Sequence, residues 1–95
     1  MKSIVQTDRT KTCYVCGTTQ NIHLHHCFFG NPNRKLSDKY GLVVHLCYLH
    51  HNGSNEGVHF NKDLDNHLKQ LAQTKFEEVH GSREDFVRIF GKNYL

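Results

Sequence analysis

The sequence predicts a small α+β domain stapled by zinc: a cysteine knuckle, a two-stranded hairpin, a long helix and a short C-terminal helix. Three observations carry that expectation. The chain has 95 residues, which suits one domain and no more. Only 37% of them are hydrophobic and mean hydropathy is -0.64, so the apolar core needs a second source of stability. Metal-binding residue types are abundant, with nine His and four Cys. No run of ~20 apolar residues is present, which excludes a membrane span. Residues 1–12 (MKSIVQTDRTKT) lack the apolar stretch of a signal peptide. A cytoplasmic setting is therefore expected, where cysteines stay reduced and serve as metal ligands more readily than as disulfides.

Residues 1–12 read as a polar arm, loose up to the first cysteine, and residues 13–95 as the domain itself. Cys13 to Gly17 (CYVCG) forms a tight knuckle. From Asn21 to Phe29 (NIHLHHCFF), Ile22, Leu24 and His26 alternate with His23, His25 and Cys27, the period of a half-buried strand. Gly30 to Gly41 (GNPNRKLSDKYG) reads as a long polar loop holding the single proline. Leu42 to Cys47 (LVVHLC) is a second strand, which makes a hairpin across that loop. His50 to Gly57 (HHNGSNEG) is turn-like. Leu64, Leu68, Leu71, Ala72, Phe76 and Val79 then fall at helical spacing, with Asn61 as N-cap and Gly81 as terminator. Ser82 with Asp85 three residues on resembles a capping arrangement, opening a short helix through Phe86, Ile89 and Phe90 that closes at Gly91.

Cys13-x-x-Cys16 followed by Gly17 is the sharpest local signal. Two thiolates on one tight turn can share a tetrahedral ion, and the glycine permits the left-handed backbone that aims amide N–H groups at sulfur. A redox reading of the pair needs a βαβ context that the pattern lacks. Cys47-x-x-His50, at the end of the second strand, supplies the other half-site, so the expected zinc set is Cys13, Cys16, Cys47 and His50. Cys27 is the rival fourth ligand, although a small apolar filler in the core is the weightier reading of a cysteine in HHCFF. His23, His45, His67 and His80 are scattered and read as surface or core histidines.

A second constellation remains: His25 and His26 on the first strand, with His51 and His59 after the second. Adjacent histidines on a regular strand point to opposite faces, so one can meet an ion while its neighbour faces a substrate; a bulge would instead bring both to one side. Charge is also uneven. Residues 1–50 carry six Lys/Arg against two acids, a net of +4, while residues 51–95 are net -1. A basic half that also holds most of the Cys and His fits an anionic partner, nucleic acid being the usual one, although an ordinary solvated surface explains the charge equally well.

LHHCF (His25, His26) and LCYLHH (Cys47, His50, His51) together resemble the HNH, or ββα-metal (His-Me finger), nucleases, over residues 13–78. The resemblance implies a small zinc-stapled ββα-metal fold in which a hairpin and a helix clamp one divalent ion. It implies that His26 is the general base, that His25 and His51 are ligands of the catalytic ion, and that His59 is a further candidate ligand. The Asn that orients the base in that family has no counterpart here, because Gly41 and Leu42 stand at the matching place. The small size, the HH variant and the ending FVRIFGKNYL also look like phage recombination-enhancement nucleases, which act with RecA.

The chemistry suits these residue types. Phosphodiester hydrolysis needs a water deprotonated near neutral pH, a task for imidazole, and a cation on the scissile phosphate. Imidazole ligands favour Mn²⁺, Co²⁺ or Ni²⁺ over Mg²⁺ for that second site. Arg34, Lys35 and Lys39 in the long loop are expected to contact flanking DNA phosphates without reading sequence. The expected function is a metal-dependent DNA endonuclease of phage recombination, with a RecA-type filament as a possible partner. The alternative is a catalytically silent, zinc-stabilised nucleic-acid binding module, which the missing Asn favours. The oligomeric state is not legible.

Overall fold

A computed structural model describes residues 3–6, 11–30, 32–51, 57–58 and 61–95. Its elements run β1 (Ile22–His26), α1 (Asn33–Tyr40), β2 (Val43–Cys47), α2 (Tyr48–His51), α3 (Lys62–Val79) and α4 (Arg83–Phe90). The two strands pair antiparallel, with Ile22 opposite Cys47 and His26 opposite Val43. The register is regular throughout, so the HH pair needs no bulge. β2 is buried on both faces except at His45, as its run of β-branched and apolar residues requires.

The far edge of β2 is closed by the N-terminal segment. Ser3 Oγ donates to the Val43 carbonyl, the Gln6 side-chain oxygen accepts from His45 N–H at 2.6 Å, and Tyr14 N–H donates to the His45 carbonyl at 2.8 Å. Residues 3–6, expected to be a loose arm, are therefore bound to the hairpin, and Val5 is buried in the core. The reason is the edge itself: unpaired strand groups are costly to leave bare, and this segment satisfies them.

The expected loop between the strands is corrected as well. Residues 33–40 form a helix, with Leu36 and Tyr40 one turn apart against the core. Ser37 is fully buried, donating to the Phe28 carbonyl (2.7 Å) and accepting from Phe28 N–H (3.1 Å). Gly41 ends the helix at φ 73°, a left-handed position where a side chain is strained. His50, expected in a turn, instead sits in the single helical turn of α2 directly after β2.

The two C-terminal helices match their sequence signals closely. Asn61 Oδ1 caps α3 by accepting from Asp63 and Leu64 N–H, at 3.1 and 3.2 Å. Ser82 and Asp85 form a reciprocal capping box at the start of α4. Leu68, Ala72, Gln73 and Phe76 are the buried face of α3, whereas Val79 is 59% exposed and leaves the expected apolar stripe at the last turn. Phe28, Phe76, Phe86 and Phe90 build the aromatic heart, with Phe86 and Phe90 stacked at 4.6 Å and Phe28 4.8 Å from Phe90. Buried Gln73 ties the tail to α3, accepting from Tyr94 N–H at 2.8 Å. No helix among the described residues is long and apolar enough to cross a membrane.

Candidate functional site

Two side-chain clusters are built on the hairpin, and among the described residues only the first gathers three or more ligand atoms placed for a metal ion. The first gathers the four residues of the predicted zinc set. The Cys13, Cys16 and Cys47 sulfurs and a His50 ring nitrogen all lie within 4.8 Å of one another, placed to hold one metal ion. Cys16 and Cys47 Sγ are 3.8 Å apart, and His50 Nδ1 is 3.2 Å from Cys47 Sγ and 3.7 Å from Cys13 Sγ. A tetrahedral zinc with ~2.3 Å bonds to sulfur and ~2.0 Å to nitrogen separates its ligands by about 3.5–3.8 Å, so the donor set fits zinc. All four cysteines are free thiols in this structure.

The backbone builds this cluster. Gly17 lies at φ 77° and returns its N–H to the Cys13 carbonyl at 2.8 Å, closing the knuckle. Burial acts to raise the Cys13 thiol, but backbone N–H groups of Cys47, Cys16 and Val15 aimed at its sulfur prevail and bring it down to about 6. Cys47 moves the other way: burial and the neighbouring thiols lift it above its ordinary 9.0. The lowered Cys13 thiol and the raised Cys47 thiol form a crowded sulfur set that a cation would relieve. Cys27 lies outside the cluster, fully buried, with burial pushing its thiol up to about 12; it is a core filler.

The second cluster surrounds a cleft of about 230 Å³ lined by Leu24, His25, His26, Phe29, Arg34 and His51. Three successive residues of β1 border it, so it runs along the edge of the strand and collects side chains from both faces. His25 is buried, and its ring centroid lies 5.3 Å from that of His51. His23 Nδ1 stands 3.1 Å from His51 Nδ1, so one ring donates and the other accepts. His26 Nε2 is 2.6 Å from Asp38 Oδ1 across the gap between β1 and α1.

Most of the expected site residues meet here, and some do not. His25, His26 and His51 share the cleft, and Arg34 reaches it from α1. Lys35 and Lys39 are exposed on α1 and do not line it, Lys39 lying over the Tyr40 ring instead. His59 lies outside the described residues. Two partners were not anticipated. His23 follows the strand period, two residues before His25, so a signal for it existed. Asp38 had none, because a carboxylate in a supposed loop has no predictable facing residue. Comparison of the chain with protein-family models, curated proteins and solved structures finds no match.

Proposed function

We propose that this chain is a metal-dependent DNA endonuclease of the HNH type, its Cys₃His cluster holding a structural zinc and its histidine cleft hydrolysing phosphodiester bonds. One observation carries the reading: a paired imidazole (His26), two further imidazoles (His25, His51) and a guanidinium (Arg34) border a single cleft. This reading assigns a first-row transition ion to His25 and His51, because such ions accept imidazole ligands readily. His25 and His51 would hold that ion, which would supply charge neutralisation at the scissile phosphate and the leaving oxygen. His26 takes the proton of the attacking water as the new P–O bond forms and the old one breaks. Arg34 offers paired N–H donors to a phosphate oxygen, and Lys35 and Lys39 meet the duplex or strand further along α1. The resemblance to phage recombination-enhancement nucleases extends this proposal to DNA recombination beside a RecA-type filament.

The test is nicking of supercoiled plasmid by zinc-loaded protein with added Mn²⁺, Co²⁺, Ni²⁺ or Mg²⁺. Wild type should nick, best with the first three at equal low concentration. His26→Ala should keep its zinc, fold and DNA affinity yet lose at least ~10²-fold in rate, the scale of a removed general base. DNA binding without any cleavage by wild type would leave the silent zinc-binding module as the function.

A further inference from the structure

The cleft raises one question that residue types alone do not answer: what holds the base. An imidazole on the last residue of a strand turns freely about two side-chain bonds, and a base that turns presents its lone pair to the water only part of the time. In the HNH pattern an Asn near the start of the second strand has that orienting task, and Gly41 and Leu42 occupy the place here. The chain nevertheless places a fixed acceptor on the same histidine. Asp38 sits on α1, whose own position is set by Ser37 bonded twice to the Phe28 backbone and by Leu36 and Tyr40 against the core. Its Oδ1 lies 2.6 Å from His26 Nε2.

We propose that Asp38 is the positioning residue of His26, doing with a side chain on α1 what the family's Asn does beside the second strand; this rests on the nuclease reading above. An ionised carboxylate only accepts hydrogen bonds, so at 2.6 Å it takes the hydrogen on Nε2. The neutral ring then carries its proton on Nε2 and leaves Nδ1 bare, with the ring plane held by the contact. Asp38 also faces the positive charge that builds on His26 as the water proton arrives. It is not among the residues that line the cleft, so its role is to act through His26. Arg34, one helical turn before it, does line the cleft, so α1 brings both the phosphate contact and the support of the base.

Asp38→Ala decides the matter with two readouts. In zinc-loaded protein without a second ion, ¹⁵N-labelled histidine should show a slowly exchanging, downfield Nε2–H proton that His26→Gln abolishes. Asp38→Ala should abolish it too, with the zinc content and the remaining amide spectrum retained. In plasmid nicking, Asp38→Ala should lower kcat by ten- to a hundred-fold at unchanged KM for DNA. A carboxylate acting only as a surface charge would instead leave kcat alone and tighten KM when removed. A downfield proton that survives Asp38→Ala, or wild-type kcat in that variant, overturns the proposal while the nuclease reading stands. A wild type inert on every ion overturns the nuclease reading, and the proposal with it.

Discussion

Two cysteines of this chain sit in opposite electrostatic settings, and each setting follows from what surrounds the sulfur. Cys13 has three backbone N–H groups turned towards it and is brought down to about 6, the condition of a metal ligand. Cys27 has none, and burial, with the Asp65 carboxylate adding to it, raises its thiol from 9.0 to about 12. The folded chain keeps Cys27 protonated where the unfolded chain ionises it. The contribution of Cys27 to stability is therefore complete below pH 9 and declines as pH climbs from 9 towards 12, by up to about 1.4 kcal/mol per pH unit. Urea midpoints of wild type and Cys27→Ala at pH 8 and pH 10.5 check this: wild type should lose more stability between the two than the variant. An equal loss in both would mean that Cys27 is not the alkaline weak point.

At the level of elements, α1 is where reading the chain and seeing its fold diverge. Its eight residues, NRKLSDKY, hold only two apolar positions, and the side chain it buries most completely is the Ser37 hydroxyl. Periodicity searches look for apolar stripes, so a helix docked through a hydroxyl and two half-buried residues reads as a loop. Removing that hydroxyl in Ser37→Ala leaves the buried Phe28 N–H and carbonyl without their partner, at a cost of about 1–3 kcal/mol. Because Arg34 and Asp38 ride on α1, the proposed nuclease activity should also fall in this variant by more than its stability loss explains at 25 °C. Denaturant melts and nicking rates measured side by side would expose a purely structural role as stability lost with kcat intact. The elements that were legible were those with explicit punctuation. Asn61 and the Ser82–Asp85 pair cap helices where the chain says they should; the alternation read through Cys27 found β1 but not its faces, since the strand ends at His26 with Leu24 exposed and His25 buried. The zinc half-sites were legible for the same reason, since C-x-x-C and C-x-x-H need only local geometry. His26 and Asp38 are twelve residues apart and Asp38 rides on an unsuspected helix, so no spacing rule joins them.

Considered whole, the molecule is pinned at two ends with the hairpin between. At one end Phe28, Phe76, Phe86 and Phe90 pack α3 and α4 against the strand exit. At the other, the Cys13–Gly17 knuckle meets β2 through one backbone hydrogen bond, and its cysteines join Cys47 and His50 in a set that could hold a metal ion. Among the described residues at this end Tyr14 and Val15 of the knuckle are exposed, and so are Tyr48 and Leu49 of α2, while Val58, bonded to the His50 carbonyl, is buried. A metal ion held at this end would contribute folding free energy to what surrounds it, including His51 one residue beyond His50. Cys13→Ser and Cys47→Ser should lose tightly held zinc and the cooperative unfolding transition, and excess Mn²⁺ should not restore nicking. Cys27→Ser should keep a full complement of zinc. Phe86→Ala should act at the opposite end, costing about 3–5 kcal/mol through the cavity it opens while zinc stays bound. Elemental analysis with circular-dichroism melts on the four variants separates the two anchors. If Cys27→Ser lost zinc while Cys47→Ser kept it, the cluster would have to be redrawn around the buried thiol. If chelation left the melt of wild type unchanged, the aromatic end alone would be holding the fold.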